Sequence, residues 1–429
     1  METSLICLAA ALIAGLLLSR VTRRFHLPAV TAYLVAGLLI GPYLLGALRI
    51  PGLGFQSLEQ VEGMSILTQT ALGFIAFAMG NEFRLSQLRT FGKKAITIGI
   101  LQAVITTVLV DAILIGLHLL FPSMISIPSA ITLGAIAAAT APAATLMVVR
   151  QYKADGPLTR LLMLVVAIDD AVGLLLFSVS FGIANTISSN NINLLSMVVA
   201  PLAEIVLSVG LGALMGFLLH YVEQFFHSRS KRMAVSVAFV LLTVGLSMLE
   251  FDIGPVHCKF SLLLVCMMTG TVFCNICSTS EELMERVDQW TVPLNILFFV
   301  ISGAELDLMV LSNPITLIVG VIYILARSSG KIFGANLSCR ITKCSKLITD
   351  NLGITLLPQA GVALGMAITA ASLPDGSIVR NVVLFAVLIY ELVGPTMTKH
   401  SLMKAGEIDP EGRTSARTHN QPKPPVSMH

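Results

Sequence analysis

Long apolar runs recur along nearly the whole chain, and they constrain its fold more than any other feature. A membrane-spanning helix needs about 20 mostly apolar residues, and about thirteen segments meet that condition. They are 3–19, 28–48, 63–81, 94–121, 128–149, 158–187, 195–226, 233–250, 260–275, 290–305, 314–339, 349–371 and 378–398. The runs are long and do not alternate in polarity, which excludes a β-barrel. Only 12% of the 429 residues are charged, about half the share of a soluble domain. The pattern predicts an all-α membrane protein with about 13 transmembrane helices. The lipid bilayer is its first partner, and a net charge of +3 implies no nucleic acid. Glu2 precedes the first apolar run and the arginines follow it, so this run reads as a retained span rather than a cleaved signal. Residues 405–429 are polar and rich in Pro, Arg and Thr, and are expected to form a disordered tail. Seven scattered cysteines form no disulfide framework. Cys274/Cys277 and Cys339/Cys344 are read as small apolar residues rather than metal ligands.

The basic residues orient the spans. Alternate loops rich in Lys and Arg face the cytoplasm. Of the 27 Lys and Arg residues, only Arg49, Lys259 and Arg380 fall on the opposite set of loops. This bias predicts an odd number of spans, with the N-terminus outside and the C-terminus cytoplasmic. Arg327 and Lys331 belong to neither set. They lie inside the eleventh segment, spaced i, i+4, and so share one helix face.

An internal repeat is visible. The fifth segment carries Thr140-Ala-Pro142-Ala-Ala and the twelfth carries Leu357-Pro358-Gln-Ala-Gly361. Asp111 and Arg327 stand at the same offset as the two prolines. Segments 1–6 then match 8–13, and an offset of seven spans inverts the second copy across the membrane. Such inverted repeats hold their site at the midplane, between interrupted helices. A mid-span proline removes a backbone hydrogen bond, so Pro142, Pro358 and Gly361 are expected to mark two broken helices that cross.

Charges at bilayer depth cost roughly 2.5–3.5 kcal/mol each on insertion scales and are functional by default. The clearest candidates are Asp111, Asp169, Asp170, Arg327 and Lys331, with Glu204 and Glu391 behind them. Asp169 and Asp170 are sequence neighbours, about 100° apart around a helix, so they cannot face one partner. One is expected to pair with a fixed cation and stay ionised. The other, without such a partner, can exchange a proton for a hard metal cation, with carbonyls freed by the broken helices completing the shell. Arg327 remains charged in any environment, and Asp111 is its expected partner. Lys331 is the expected partner of Asp169. These charges alone reach as far as an ion-coupled transporter.

The motifs in their order resemble the monovalent cation/proton antiporters, in the branch of bacterial sodium/proton antiporters and Kef-type potassium efflux systems. The matching pieces are Gly80-x-Glu82, Thr140-Ala-Pro142-Ala-Ala, Ile168-Asp-Asp-Ala-Val-Gly173, Gly303-Ala-Glu305-Leu-Asp, Arg327-x-x-Gly-Lys331-x-x-Gly334 and Pro358-Gln-Ala-Gly-Val-Ala, covering the chain to about residue 400. The resemblance implies a transmembrane antiporter domain over 1–404. It would have a core of helices at about 94–187 and 314–398, a dimerisation scaffold at about 3–81 and 233–305, and a linker helix at 195–226. It also implies a homodimer, competitive cation and proton binding at Asp170, an Asp169–Lys331 pair, Thr140 within the site, and elevator-like movement of the core. Gln359 and Gly361 are uncharged where many relatives carry a charge, and residues 405–429 are expected to be too short to form the nucleotide-binding regulatory domain that the Kef systems carry.

The expected function is exchange of a monovalent cation, foremost Na⁺, for H⁺ in a bacterial inner membrane. No cofactor beyond the transported ion and no enzymatic activity are expected. Potassium/proton antiport is the alternative, and sodium-coupled solute symport a more distant one. An intramembrane aspartyl protease would need two carboxylates facing each other across a shared proton, which adjacent residues on one helix do not provide.

Overall fold

The structure, a computed structural model, describes residues 2–408 apart from 26, 49, 51–53, 81–82, 190–193, 254–255, 307–313, 371–372 and 374. The Glu82 and Asp307 motif positions and the tail from 409 lie outside the described residues. Among the described residues sixteen α-helices follow one another. The first five are α1 (Glu2–Thr22), α2 (Ala29–Ile40), the short α3 (Leu58–Glu62), α4 (Ser65–Gly80) and α5 (Leu85–Leu120). Next come α6 (Ile127–Ile136), α7 (Pro142–Gln151), α8 (Pro157–Ser189), α9 (Leu194–Glu223) and α10 (Arg229–Ser247). The rest are α11 (Leu262–Ile276), α12 (Ser280–Glu305), α13 (Pro314–Ile341), α14 (Lys346–Thr355), α15 (Gly361–Ala370) and α16 (Gly376–Lys404).

Helix occupies every apolar segment read from the sequence. Among the described residues, nine helical stretches are long and apolar enough to cross a membrane, and α4 and α11 are shorter apolar helices. The pairs α6–α7 and α14–α15 each form one interrupted passage. Polarity is distributed inside out. Leu5, Leu17 and Leu325 are more than 60% exposed on the outer surface, whereas Asp169, Arg327 and Lys331 are fully buried. Lipid as the outer solvent accounts for this arrangement.

Two details differ from the sequence reading. The eighth span ends at Ser247 rather than 250, because the next residues form a hairpin of β1 (Glu250–Ile253) and β2 (Val256–Lys259). Its antiparallel register pairs Glu250 with Lys259 and Ile253 with Val256. The tail does not begin at 405 either. The Glu407 carboxylate accepts hydrogen bonds from the Leu158 N–H (2.7 Å), the Thr159 N–H (2.7 Å) and the Thr159 hydroxyl (2.7 Å). These amides belong to the first turn of α8 and have no acceptor within their own helix. A carboxylate also complements the positive end of the helix dipole. Polar composition concealed this docking because the acceptor is itself a charged residue.

The two interrupted passages match in helix length. α6, α7, α14 and α15 each have 10 residues, and each pair is separated by a short non-helical break, 137–141 and 356–360. Pro142 is the first residue of α7, where its missing N–H costs nothing. It holds Ala141 in an extended conformation, φ −89° and ψ 101°. The corresponding position in the second copy is Gly361, which opens α15. Pro358 stands within the break, so the two prolines are not equivalent as the sequence offset suggested.

α13 packs along α5, and glycine permits the close approach. A Cβ on Gly330 would meet the Thr106 Cα at 3.0 Å, and one on Gly334 would meet the Gln102 carbonyl at 3.0 Å. α5 also packs on α6 and α8. The broken helices, α8 and α13 therefore converge on one buried point.

Candidate functional site

The two helix breaks meet directly. The Ala141 N–H donates to the Pro358 carbonyl (2.8 Å), and the Gln359 amide donates to the Ile136 carbonyl (3.0 Å) and the Tyr323 hydroxyl (3.1 Å). A break in a helix leaves carbonyls without partners, and burying them unpaired is costly. Here two cations satisfy them. Arg327 donates from Nε to the Ala137 carbonyl (3.0 Å) and from its terminal nitrogens to the Ala139 carbonyl (2.7 Å) and the Leu357 carbonyl (2.7 Å). Its guanidinium lies over the Tyr390 ring, 4.4 Å from the centroid. Lys331 donates to the Ala138 carbonyl (2.6 Å), the Thr140 hydroxyl (2.9 Å) and Asp169 Oδ2 (3.0 Å). Both cations sit at the carbonyl end of α6, where the helix dipole favours positive charge.

This corrects one expected pair. Asp111 and Arg327 form no ion pair. Asp111 points instead toward Gly134 of α6, and its Oδ1 has no hydrogen-bond partner among the described residues. A guanidinium fork can be neutralised in part by several carbonyl dipoles, an option that charge matching in a sequence does not weigh. The carbonyls at 137–139 and 357, expected to be open to a bound cation, are occupied by Arg327 and Lys331.

α8 places the two aspartates differently. Asp169 is 0% exposed and saturated. Its Oδ2 accepts from the Thr140 hydroxyl (2.7 Å) and Lys331, and its Oδ1 accepts from the Gln102 amide. Asp170 is 4% exposed, and its Oδ1 has no hydrogen-bond partner among the described residues. Thr140, Asp169 and Lys331 thus form one contact group. Asp170 stands beside it, Arg327 braces the breaks, and Asp111 lies apart.

Gln102 and Tyr390 were not singled out from the sequence, and Gln359 was noted only as uncharged where many relatives carry a charge, not as a group that joins the breaks. All three are polar groups within apolar spans, and extending the buried-charge criterion to uncharged polar side chains would have found them. The arrangement has a simple chemical capacity. Asp169, Lys331 and Arg327 are fixed by their partners, and Asp170 retains a free acceptor. A proton or a monovalent cation on Asp170 leaves the buried cluster with the same net charge, so one can replace the other.

Two interrupted helices of matched length, meeting around buried charges in a helical bundle, define a polytopic membrane transport protein. A family model described as "Sodium/hydrogen exchanger, transmembrane" matches residues 8–404. The chain belongs to this sodium/hydrogen exchanger family, a family of transporters rather than enzymes. Two solved structures of the sodium proton antiporter MjNhaP1 from Methanocaldococcus jannaschii share the fold. One, at pH 8, has a TM-score of 0.60 and 21% identity over 95% of this chain and 96% of that one. The other, an electron-microscopy structure, has a TM-score of 0.65 and 19% identity over 93% and 94% of the two chains. No curated protein sequence matches.

Proposed function

We propose that the protein exchanges Na⁺ for H⁺ across a bacterial inner membrane, with the two ions competing for Asp170. The observation carrying this reading is the contrast between the aspartates: Asp169 is fully partnered, and Asp170 is buried with a free oxygen. A buried carboxylate without a partner has to be neutralised, and either a proton or a cation does so. Because one site cannot hold both, loading Na⁺ releases the proton, and alternating access couples their opposite movements. Helices 94–187 and 314–398 form the moving core. Helices 3–81 and 233–305 form the scaffold of a homodimer, and 195–226 links them. The core moves as an elevator, with the N-terminus outside and the C-terminus in the cytoplasm.

The test is antiport in proteoliposomes with Na⁺, Li⁺ and K⁺ compared, with and without a clamped membrane potential. Asp170→Asn is expected to abolish cation-dependent proton movement while leaving the protein folded. Exchange surviving in that variant would remove Asp170 from the mechanism, and activity with K⁺ alone would reassign the cation.

A further inference from the structure

A second acidic cluster borders the helix breaks. A cavity of about 180 Å³ is bounded on one side by Thr140 of the first break, by Pro142 at the start of α7 and by Ala360 of the second break. Glu305 and Glu391 line it too. Glu391, in the middle of α16, is 6% exposed, and its Oε2 has no hydrogen-bond partner among the described residues. Glu305 is the last residue of α12 and is half-buried. Glu391 lies within electrostatic reach of Glu305, and Glu305 within reach of the exposed Glu62, the last residue of α3.

This arrangement opposes ordinary stabilisation at every position. The C-terminus of a helix is its negative end and favours cations. Yet α3 and α12 both end in a glutamate and have no basic residue in the last turn. Like charges repel each other across the cavity. A buried carboxylate with no cation costs several kcal/mol. No described side chain in the cavity lining is basic. The three carboxylates descend from the exposed surface at Glu62, through Glu305, to Glu391. The innermost shares its cavity with Thr140, the residue that holds Asp169.

We propose that Glu391, with Glu305, forms a second binding station for a monovalent cation, through which the ion passes between the membrane face carrying Glu62 and Asp170. The station is defined by its own residues; its place on a transport route rests on the exchange reading above. Carboxylate oxygens suit a hard cation. An ion there relieves the repulsion between the two glutamates, and Glu62 raises the local cation concentration at the mouth.

Binding of ²²Na⁺ and ⁸⁶Rb⁺ to the purified full-length protein, measured by scintillation proximity, tests the station apart from activity. Asp170→Asn is expected to retain saturable binding, which is lost in the D170N/E391Q double variant. In proteoliposomes, Glu391→Gln is expected to raise the KM for the cation about tenfold, the effect of losing one nearby carboxylate, with Vmax nearly unchanged. Glu391→Asp should restore most of the affinity. Glu305→Gln, at a half-buried helix end, should raise KM in the same direction by a smaller factor. An unchanged KM in both glutamine variants overturns the station, as does D170N binding indifferent to Glu391. Complete loss of exchange in a stably folded E391Q that E391D does not rescue also overturns it, because Glu391 would then be part of the obligatory exchange site. Exchange by D170N overturns the exchange reading instead and leaves the binding result to stand alone.

Discussion

Replacing Arg327 with lysine separates the role of its charge from that of its fork. Arg327 holds three carbonyls on two different breaks, those of Ala137, Ala139 and Leu357. Hydrogen bonds to a charged group contribute roughly 1.5–3 kcal/mol each. A lysine ammonium keeps the charge but cannot reach across both breaks, so about two of these bonds are lost, roughly 3–6 kcal/mol in all. An unfolding entropy of about 2.1 cal/mol/K per residue, over roughly 400 residues, converts this to a fall of about 4–7 °C in Tm. Thermal unfolding of the purified protein in detergent measures it. The control is Asp111→Asn, because an Asp111–Arg327 ion pair would make this change equally costly. The geometry instead predicts a shift of less than about 1 °C, and a D111N/R327K double variant additive to within about 0.5 kcal/mol. A D111N loss matching that of R327K, or a coupling above about 1 kcal/mol, would refute the assignment of Arg327 to the carbonyls.

Two further predictions concern parts of the fold outside the charge cluster. Glu407→Gln places an amide NH₂ against the donors at the start of α8 and should cost about 1–2 kcal/mol, as the loss of a helix cap does; hydrogen exchange at residues 158–159 should rise, and unchanged protection there would contradict the docking of 405–408. Gly37→Ala drives a methyl group into the Val300 carbonyl where α2 crosses α12; overpacking of about 1–3 kcal/mol should lower Tm with the KM for the cation unaltered, and a variant as stable as the parent would contradict that helix contact.

The sequence disclosed most where membrane solvation leaves few choices. Length and apolarity located each span, because a helix satisfies its own backbone in lipid and an irregular strand does not. Breaks were legible for the same reason: Pro142 removes a donor and prevents Ala141 from being helical. Partnership was harder to read. Lys331 and Asp169 are ions of opposite sign, and simple charge matching paired them; the same rule paired Arg327 with Asp111, where the carbonyls of Ala137, Ala139 and Leu357 are the actual acceptors. Carbonyls are present at every residue and carry no sequence signal, so the acceptors created by a break become visible only when the break has coordinates. Glu391 marks the complementary case. Its burial was visible in the apolar run around it, but its proximity to Glu305 and Thr140 depends on three helices distant in sequence meeting around one cavity. The buried carboxylates are therefore distinguished by what lies around them: Asp169 is enclosed by Thr140, Gln102 and Lys331, while Asp170 and Glu391 each keep an oxygen that no described residue occupies. Those two free oxygens are where a mobile cation has something to gain.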